Sequence, residues 1–242
     1  MLRGLYTATA GMVSEMSAID VLTNNLANAD TVGFKEDFET LVRQGANPLS
    51  YGEGGLVRAT GVLNIQTGVD LTQGSLRQTG NPLDLALQGP GMFAIRNGQG
   101  IVYTRNGRFH LSATRQLVTL EGLPVLGANS QPITLPDPQG QPIVIRDNGT
   151  IQVGTQAVGQ IGIFTAAGWQ KAGNGGYTPT GPVTVSSTIL VKQGMLEAAN
   201  LDLTQAMGSI MTAERAYEAS VQMQHMQDQL AQQAANDIGK LP

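Results

Sequence analysis

The side chains that could carry catalysis or metal binding are few in this sequence and lie far apart. The 242 residues include two histidines, His110 and His225, and no cysteine. This excludes disulfides, thiolate metal sites and cysteine nucleophiles. No phosphate-binding loop, dinucleotide fingerprint, paired-histidine zinc motif or Gly-x-Ser-x-Gly turn occurs. An acidic cluster at Glu36, Asp37 and Glu39 is typical of a solvated surface. We therefore expect no catalytic residues, no cofactor and no metal ion.

A group of asparagines fits a contact between protein chains better than it fits chemistry. Asn24, Asn25 and Asn28 surround Leu26 near the end of a predicted helix, where asparagine competes for backbone hydrogen bonds. Amides beside an apolar stripe can pair across an interface and fix its register. The alternative is that these residues only cap a frayed helix end.

Two aromatic residues also suit contacts with a neighbour. Phe34 follows Gly33 at a sharp exit from the first predicted helix. In a second predicted helix, Arg215 and Glu218 can pair at three-residue spacing, which leaves Tyr217 on the apolar side with its hydroxyl available. We predict that Phe34, Arg215 and Tyr217 belong to an assembly interface.

Helical periodicity at both ends of the chain predicts the elements that hold these residues. Leu5, Met12, Ile19 and Leu26 stand seven residues apart in a predicted helix from residue 5 to 27. A second predicted helix extends from about residue 203 to 235, after an N-terminal cap at Asp202. Its apolar stripe consists of Leu203, Met207, Ile210, Tyr217 and Val221.

Each of these two helices has an apolar stripe that it cannot bury alone. Because helices in proteins are stabilised mostly by packing such a stripe, both helices need a partner. The heptad-like spacing indicates that they pair with each other as a coiled coil, and that the stripe residues form the assembly interface. The alternative is that both helices dock on the middle of the chain in an ordinary α+β monomer.

The middle of the chain has a different periodicity. Short apolar or alternating runs are separated by turn signals such as Asn97-Gly98 and Asn148-Gly149. We predict an α+β fold, in which long N- and C-terminal helices pair as a coiled coil and a central antiparallel β domain contains many short strands. The predicted parts are the N-terminal helix of the inner coiled-coil domain (1–35), a connector or arm (36–80), the central β domain (81–195) and the C-terminal helix of the coiled-coil domain (196–242).

Composition limits the partners of the chain. Charged residues make up 13%, the net charge is −4 and the sequence pI is about 5.1, which argues against nucleic-acid binding. No run approaches the roughly 18 to 20 apolar residues of a membrane span, so we expect no membrane insertion. Ser14, Glu15 and Ser17 interrupt any apolar region after Arg3, which is unlike a cleavable signal peptide.

Several short motifs lie in order along nearly the whole chain. They occupy residues 4–12, 24–28, 31–35, 81–87, 103–109, 117–119, 193–200 and 213–218. Taken together, these motifs resemble the N-terminal, central and C-terminal signatures of bacterial flagellar rod and hook proteins. The resemblance supports the coiled-coil interpretation, since the terminal helices of that family form an inner coiled-coil tube.

The resemblance implies a structural protein and no enzyme. It implies a subunit of the flagellar basal-body rod, proximal or distal, that polymerises helically around the export channel and transmits torque from motor to hook. Its partners would be copies of itself, other rod and hook subunits, and the flagellar type III export apparatus. It would be exported across the inner membrane to the basal body without a cleaved signal peptide. The alternatives are a hook-type axial protein and a secreted β-rich binding module.

Overall fold

The computed structural model describes residues 2–43, 63–98, 100–173 and 175–238. In these residues the helices are α1 (Leu2–Ala27) and α2 (Leu203–Ile238). The strands are β1 (Asp37–Arg43), β2 (Leu63–Val69), β3 (Leu76–Gln78), β4 (Leu85–Gln88), β5 (Met92–Asn97), β6 (Gly100–Thr104), β7 (Phe109–Leu111), β8 (Leu117–Thr119), β9 (Ile143–Ile145), β10 (Thr150–Val153), β11 (Gln156–Gln160), β12 (Ile163–Ala166), β13 (Trp169–Lys171), β14 (Tyr177–Pro179), β15 (Val183–Val185), β16 (Leu190–Gln193) and β17 (Met195–Glu197).

The chain folds as two compact units. The first unit combines α1, α2 and the strands β1 and β2, except for the last residue of β2. The second unit comprises residues 28–36 and 69–201, and it therefore holds all the other strands. Part of the predicted connector, residues 44–62, lies outside the described residues. The predicted four-part division of the chain remains a prediction.

In the first unit, α2 begins at the cap that the sequence indicates. The Oδ1 atom of Asp202 accepts hydrogen bonds from the backbone N–H groups of Thr204, at 2.9 Å, and Gln205, at 3.1 Å. These N–H groups belong to the first helical turn, where no intrahelical acceptor is available to them. The cap therefore fixes the start of α2 at Leu203.

The prediction that long terminal helices pair as a coiled coil is wrong. α1 has 26 residues and α2 has 36, and no long coiled-coil pair is evident in the part of the chain that the structure describes. Leu203 and Met207, two predicted seam residues, are 46% and 49% exposed, whereas a coiled-coil seam inserts its large apolar residues into the partner helix. The buried apolar residues of α2 are instead the small residues Ala206 and Ala213. The predicted stripe thus combined exposed residues, Leu203 and Met207, with half-buried ones, Ile210, Tyr217 and Val221.

In the second unit the strands form several small sheets. The largest sheet has six strands in the order β13-β14-β6-β5-β12-β15, and another has the order β11-β10-β9. The pairs β16-β4, β17-β3 and β7-β8 form separate two-stranded sheets, and every strand pair of this unit runs antiparallel. Asn97 pairs with Gly100 at the β5–β6 hairpin, and Gly98 in its loop has φ +61°. The Asn-Gly signal therefore corresponds to a hairpin turn there.

The core of the second unit has two apolar clusters. The larger contains residues of many strands, among them Leu85, Phe93 and Phe109, and the rings of Phe93 and Phe109 meet edge to face with centroids 5.2 Å apart. The smaller cluster is built around Tyr103 and Tyr177. Alternate residues of short strands supply these clusters, so the unit is stabilised largely by burial of apolar surface. No helix among the described residues is both long enough and apolar enough to span a membrane.

Candidate functional site: a buried ion cluster and the exposed helix faces

The segment that follows α1 and the segment that precedes α2 meet inside the second unit. The N–H group of Gly33 donates to the carbonyl oxygen of Glu197 at 2.8 Å. β17, which contains Glu197, pairs with β3, and Ala198 N–H donates to Ser75 O at 2.9 Å just beyond that pair. Residues 28–36 are therefore held against β17, which is itself paired with β3.

A buried ion pair joins these two segments. The Nζ atom of Lys35 lies 2.6 Å from Oε1 of Glu197, and the side chains are 0% and 1% exposed. Lys35 Nζ also donates to Thr72 O at 2.5 Å, and the same carboxylate oxygen accepts from Gly74 N–H at 3.0 Å. Burial lowers the pKa of the Lys35 ammonium, while the Glu197 carboxylate acts in the opposite direction.

Arg105 adds a second cation to this cluster. Its Nη1 atom lies 3.4 Å from Glu197 Oε2, and its Nη2 atom donates to Gly89 O at 2.6 Å. Neither Nη1 nor Oε2 makes a hydrogen bond with any residue that the structure describes. Burial lowers the pKa of the Arg105 guanidinium, and the Glu197 carboxylate opposes this. Because all three side chains are at most 3% exposed, the cluster suits anchoring of the chain and not contact with a substrate.

The backbone at Gly33 allows this close approach. Gly33 has φ +69°, in the left-handed region, and a methyl group on it would overlap the backbone carbonyl carbon of Arg105. Only glycine avoids both the conformational strain and the overlap. The sharp exit predicted after α1 is thus required by the packing of residues 28–36 on the loop after β6.

Asn200 ties the same segments together a few residues further on. Its Oδ1 atom accepts from Glu36 N–H at 2.8 Å, and its Nδ2 atom donates to Asp70 O at 2.9 Å and Thr72 Oγ1 at 3.1 Å. Burial and the nearby Asp70 carboxylate raise the pKa of Glu36 above its usual value.

The structure places Phe34 inside the second unit. Phe34 is 7% exposed, and the Lys171 Nζ atom lies 4.2 Å from its ring centroid, which is a cation–π distance. Phe34 is therefore packed within its own chain, although the sequence suggested that it docks on a neighbour.

The three predicted interface asparagines differ in burial, and only Asn24 and Asn25 lie within α1. Asn25 is fully buried: its Nδ2 atom donates to Asp37 O at 2.7 Å and its Oδ1 atom accepts from Asp37 N–H at 2.9 Å. Asn24, by contrast, is exposed and Asn28 is half-buried. Asn25 thus fixes β1 to the end of α1 inside the chain.

The predicted apolar interface residues are covered only in part. Met12, Ile19 and Leu26 of α1 are half-buried, and the side chain of Leu5 lies outside the described residues. In α2, Leu203, Met207 and Arg215 are exposed, while the half-buried members are Ile210, Tyr217 and Val221. None of these described residues of α1 and α2 is fully buried.

Other exposed methionines extend this apolar surface of α2. Met211, Met223 and Met226 are 55%, 51% and 58% exposed, and Leu230 is 63% exposed. Large apolar side chains rarely gather on the surface of a monomer unless they form a contact site.

The two histidines lie at exposed positions, His110 in β7 and His225 in α2. Among the described residues, no group of three or more acidic or histidine side chains could hold a metal ion. The arrangement around the buried ion cluster can fix chain segments in place, and we find no described group positioned for acid–base chemistry.

Sequence reasoning missed Lys35, Arg105 and Glu197 as a functional set. Each lies inside one of the family-like motifs, but the motifs are far apart in sequence, and Lys35 and Glu197 are separated by 162 residues. The available signal was the presence of charged residues inside apolar or Gly-containing motifs of a chain with only 13% charged residues.

Comparison with known proteins identifies the family. Models of three domains match in order: the flagella basal body rod protein at residues 5–35, the flagellar hook protein FlgE/F/G D1 domain at 86–153 and the flagellar basal body rod FlgEFG protein C-terminal domain at 192–237. The flagellar basal-body rod protein FlgG of Bacillus subtilis is 32% identical, and the alignment covers 98% of this chain and 99% of the relative. The chain belongs to the flagellar basal-body rod protein family.

Other relatives agree with this assignment over the full length. The flagellar basal-body rod protein FlgF of Mesorhizobium japonicum is 31% identical over 97% of each chain. The flagellar hook-basal body complex protein FlhO of Bacillus subtilis is 30% identical over 100% of each chain. The predicted family and the predicted role as a structural rod subunit are therefore confirmed. The buried ion cluster lies at the junction of the three matched domains: Lys35 ends the first, Arg105 lies in the second and Glu197 in the third.

Proposed function

We propose that this rod protein polymerises helically around the flagellar export channel and transmits torque from motor to hook. Its partners are copies of itself and other axial proteins of the rod and hook. The observation that carries this proposal is the exposed apolar surface of the helices in a chain that matches rod proteins from end to end.

The exposed apolar side chains support assembly because they are costly in an isolated chain. Fully burying a side chain such as methionine or leucine is worth about 1.5 to 3 kcal/mol. Val13 and Met16 of α1 are each 58% exposed, and α2 exposes a longer series of methionines. Association with neighbouring subunits would remove this surface from water.

We propose that the assembly interface includes the exposed and half-buried residues of both helices. The set consists of Leu5, Met12, Ile19, Asn24, Leu26, Asn28, Leu203, Met207, Ile210, Arg215, Tyr217 and Val221. Asn25 and Phe34 contribute indirectly, since they hold the segments that follow α1.

The buried ion cluster supports a mechanical role. Force applied to either helix is passed along the backbone to residues 28–36 or 195–201, and both segments are anchored by Lys35 and Glu197. Removing one partner of a buried ion pair strongly destabilises the fold, because the remaining charge is buried without compensation. The cluster thus resists separation of these segments under load.

We further propose that the protein reaches the basal body through the flagellar type III export apparatus, without cleavage of a signal peptide. The early polar residues Ser14, Glu15 and Ser17 lie within α1, which is unlike a signal-peptide apolar region. We also propose that it has no enzymatic activity.

The assembly proposal is tested by restoring motility to a strain deleted for this gene. The wild-type chain should restore motility and should be found in purified basal bodies. Met207→Glu places a charge on the proposed interface, so it should abolish both. Leu120→Glu is the matched control, because Leu120 is 59% exposed but lies in the second unit beside β8. Motility with Met207→Glu equal to that with Leu120→Glu would contradict the proposed interface.

A further inference from the structure

A concavity of about 160 Å³ lies next to the buried ion cluster in the second unit. Val32 and Leu196 supply apolar surface to its lining, and Arg77 and Arg108 line it with exposed guanidinium side chains. The volume admits one or two side chains and not a whole helix, which has a diameter of about 10 Å.

These two arginines differ from the others of the second unit. Neither Arg77 nor Arg108 makes a side-chain hydrogen bond or ion pair with any described residue, although Asp30 and the buried Glu197 line the same concavity. Every other arginine of the unit has a side-chain partner: Arg96 has Ser130, Arg105 has Glu197 and Gly89, Arg115 has Asp137, and Arg146 has Gln152. Two guanidinium groups at one concavity favour carboxylates, which they bind through paired N–H donors.

The same chain carries a complementary acidic surface. α2 contains four acidic residues and a single arginine, Arg215. Glu214 and Glu218 are exposed, and at four-residue spacing they lie on one side of α2, roughly 6 Å apart. Two like charges at this spacing destabilise a helix unless cations lie nearby. Met211, three residues before Glu214 and 55% exposed, lies on the same side of the helix.

We propose that the Arg77–Arg108 concavity of one copy binds the Glu214–Glu218 side of α2 from a second copy. The two carboxylates meet the two guanidinium groups, and Met211 packs near the apolar lining. The helix lies across the mouth of the concavity and inserts only its side chains. This contact rests on the proposed function, because it specifies how copies of the chain recognise one another in the assembly.

Self-association of the purified full-length chain, measured by sedimentation at about 50 mM salt, tests the contact. Reversing two charges places like charges opposite each other, so Arg77→Glu/Arg108→Glu should weaken association at least tenfold. Glu214→Arg/Glu218→Arg should weaken it to a similar extent. A chain with all four changes regains opposite charges and should return to within about threefold of wild type.

The matched control is Arg115→Glu/Arg146→Glu, which makes the same change of charge at two exposed arginines of the same unit. This control should self-associate within about twofold of the wild-type chain. The thermal unfolding midpoint of each variant shows whether that variant is folded. The proposal is overturned if the control weakens association as much, if the fourfold variant is not restored, or if the wild type does not self-associate. None of these results would by itself contradict the rod assignment, which the motility experiment tests separately.

The absence of cysteine allows a second test of the same geometry. Thr79 lines the concavity, and Gln222 lies four residues after Glu218 on the same side of α2. A mixture of Thr79→Cys and Gln222→Cys chains should form a disulfide-linked heterodimer under mild oxidation. When the Gln205→Cys chain is used instead of the Gln222→Cys chain, the heterodimer should not form, because Gln205 lies on another side of the helix. Equal cross-linking of the two helix positions would overturn the proposed orientation.

Discussion

Among the described residues, Glu197 is the one carboxylate that pairs with both buried cations, Lys35 and Arg105. Because one carboxylate balances two cations, we expect substitutions of the three residues to destabilise the fold to different extents. Removal of the Glu197 carboxylate leaves two buried positive charges together, whereas removal of the Lys35 ammonium leaves Glu197 paired with Arg105. Glu197 is therefore the side chain on which the anchoring of both segments depends most.

We predict that Glu197→Gln lowers the free energy of unfolding by about 3 to 5 kcal/mol, the usual cost of breaking a buried ion pair. Lys35→Met should cost less. Lys192→Met is the control, because Lys192 and Asp147 form an exposed pair at 3.0 Å, which is worth about 1 kcal/mol or less. Urea unfolding at neutral pH measures all three. An equal loss for Glu197→Gln and Lys192→Met would show that the cluster is not an anchor.

Glu36 gives the fold a defined pH dependence. Its pKa is raised in the folded chain above the ordinary value of 4.5, by burial and by Asp70. A raised folded pKa means that the stabilisation is complete below pH 4.5 and is lost as the pH rises through the folded pKa.

Glu36→Gln should therefore raise the thermal unfolding midpoint at pH 7 and have little effect near pH 4. Glu121→Gln, at an exposed turn after β8, provides the control for loss of a negative charge. Differential scanning calorimetry at the two pH values makes the comparison. If Glu36→Gln raises the unfolding midpoint more at pH 4 than at pH 7, this explanation is contradicted.

At the scale of elements, Asn25 connects α1 to β1. Its amide group imitates a strand partner, since it both donates to and accepts from the backbone of Asp37. Ser17, two turns earlier in α1, also donates a hydrogen bond to the Glu39 carboxylate. β1 is thus attached along the last part of α1 by side chains, which compensates for the low stability of a two-stranded sheet.

We predict that Asn25→Ala costs about 1 to 3 kcal/mol, because it removes the side-chain amide that bonds the part-buried backbone N–H and carbonyl of Asp37. Hydrogen exchange at the Asp37 amide should accelerate accordingly. The matched variant is Asn24→Ala at the exposed neighbouring position, which should leave that amide unchanged. Equal acceleration in both variants would indicate fraying of the whole helix end.

The elements show how far the sequence alone could predict this structure. Apolar spacing predicted helices at both ends, and Asp202 correctly marked the start of α2. The spacing identified the covered side of α2 only in part, because the buried residues Ala206 and Ala213 are small and do not stand out in such a pattern. Asn24 and Asn25 are likewise equivalent in sequence, and only the position of Asp37 distinguishes them. The buried cluster could not be predicted, since one sequence does not record which distant charges meet.

At the scale of the whole molecule, large apolar side chains are distributed unevenly. Those of the second unit are mostly in its two clusters, whereas α2 exposes most of its methionines. Methionine is flexible and adapts to varied surfaces, which suits a subunit that contacts more than one kind of neighbour.

We predict that Met223→Gln/Met226→Gln changes the free energy of unfolding of the dilute chain by no more than about 0.5 kcal/mol. Met92→Gln, at a site that is 2% exposed, should cost several kcal/mol, because it buries an amide in an apolar cluster. The same double variant should reduce incorporation into basal bodies. A large loss of stability in the double variant would mean that these methionines belong to the core of the monomer.

The separation of 162 residues between Lys35 and Glu197 also determines the order in which this chain can fold. Synthesis proceeds from the N-terminus, so α1 and residues 28–36 exist long before β17 does. Closing so long a loop is entropically costly and is repaid only when distant contacts form, which makes such steps slow. Lys35, in the segment after α1, therefore cannot pair with Glu197 until almost the entire polypeptide has been made. We therefore expect the contact between residues 28–36 and β17 to be a late step in folding.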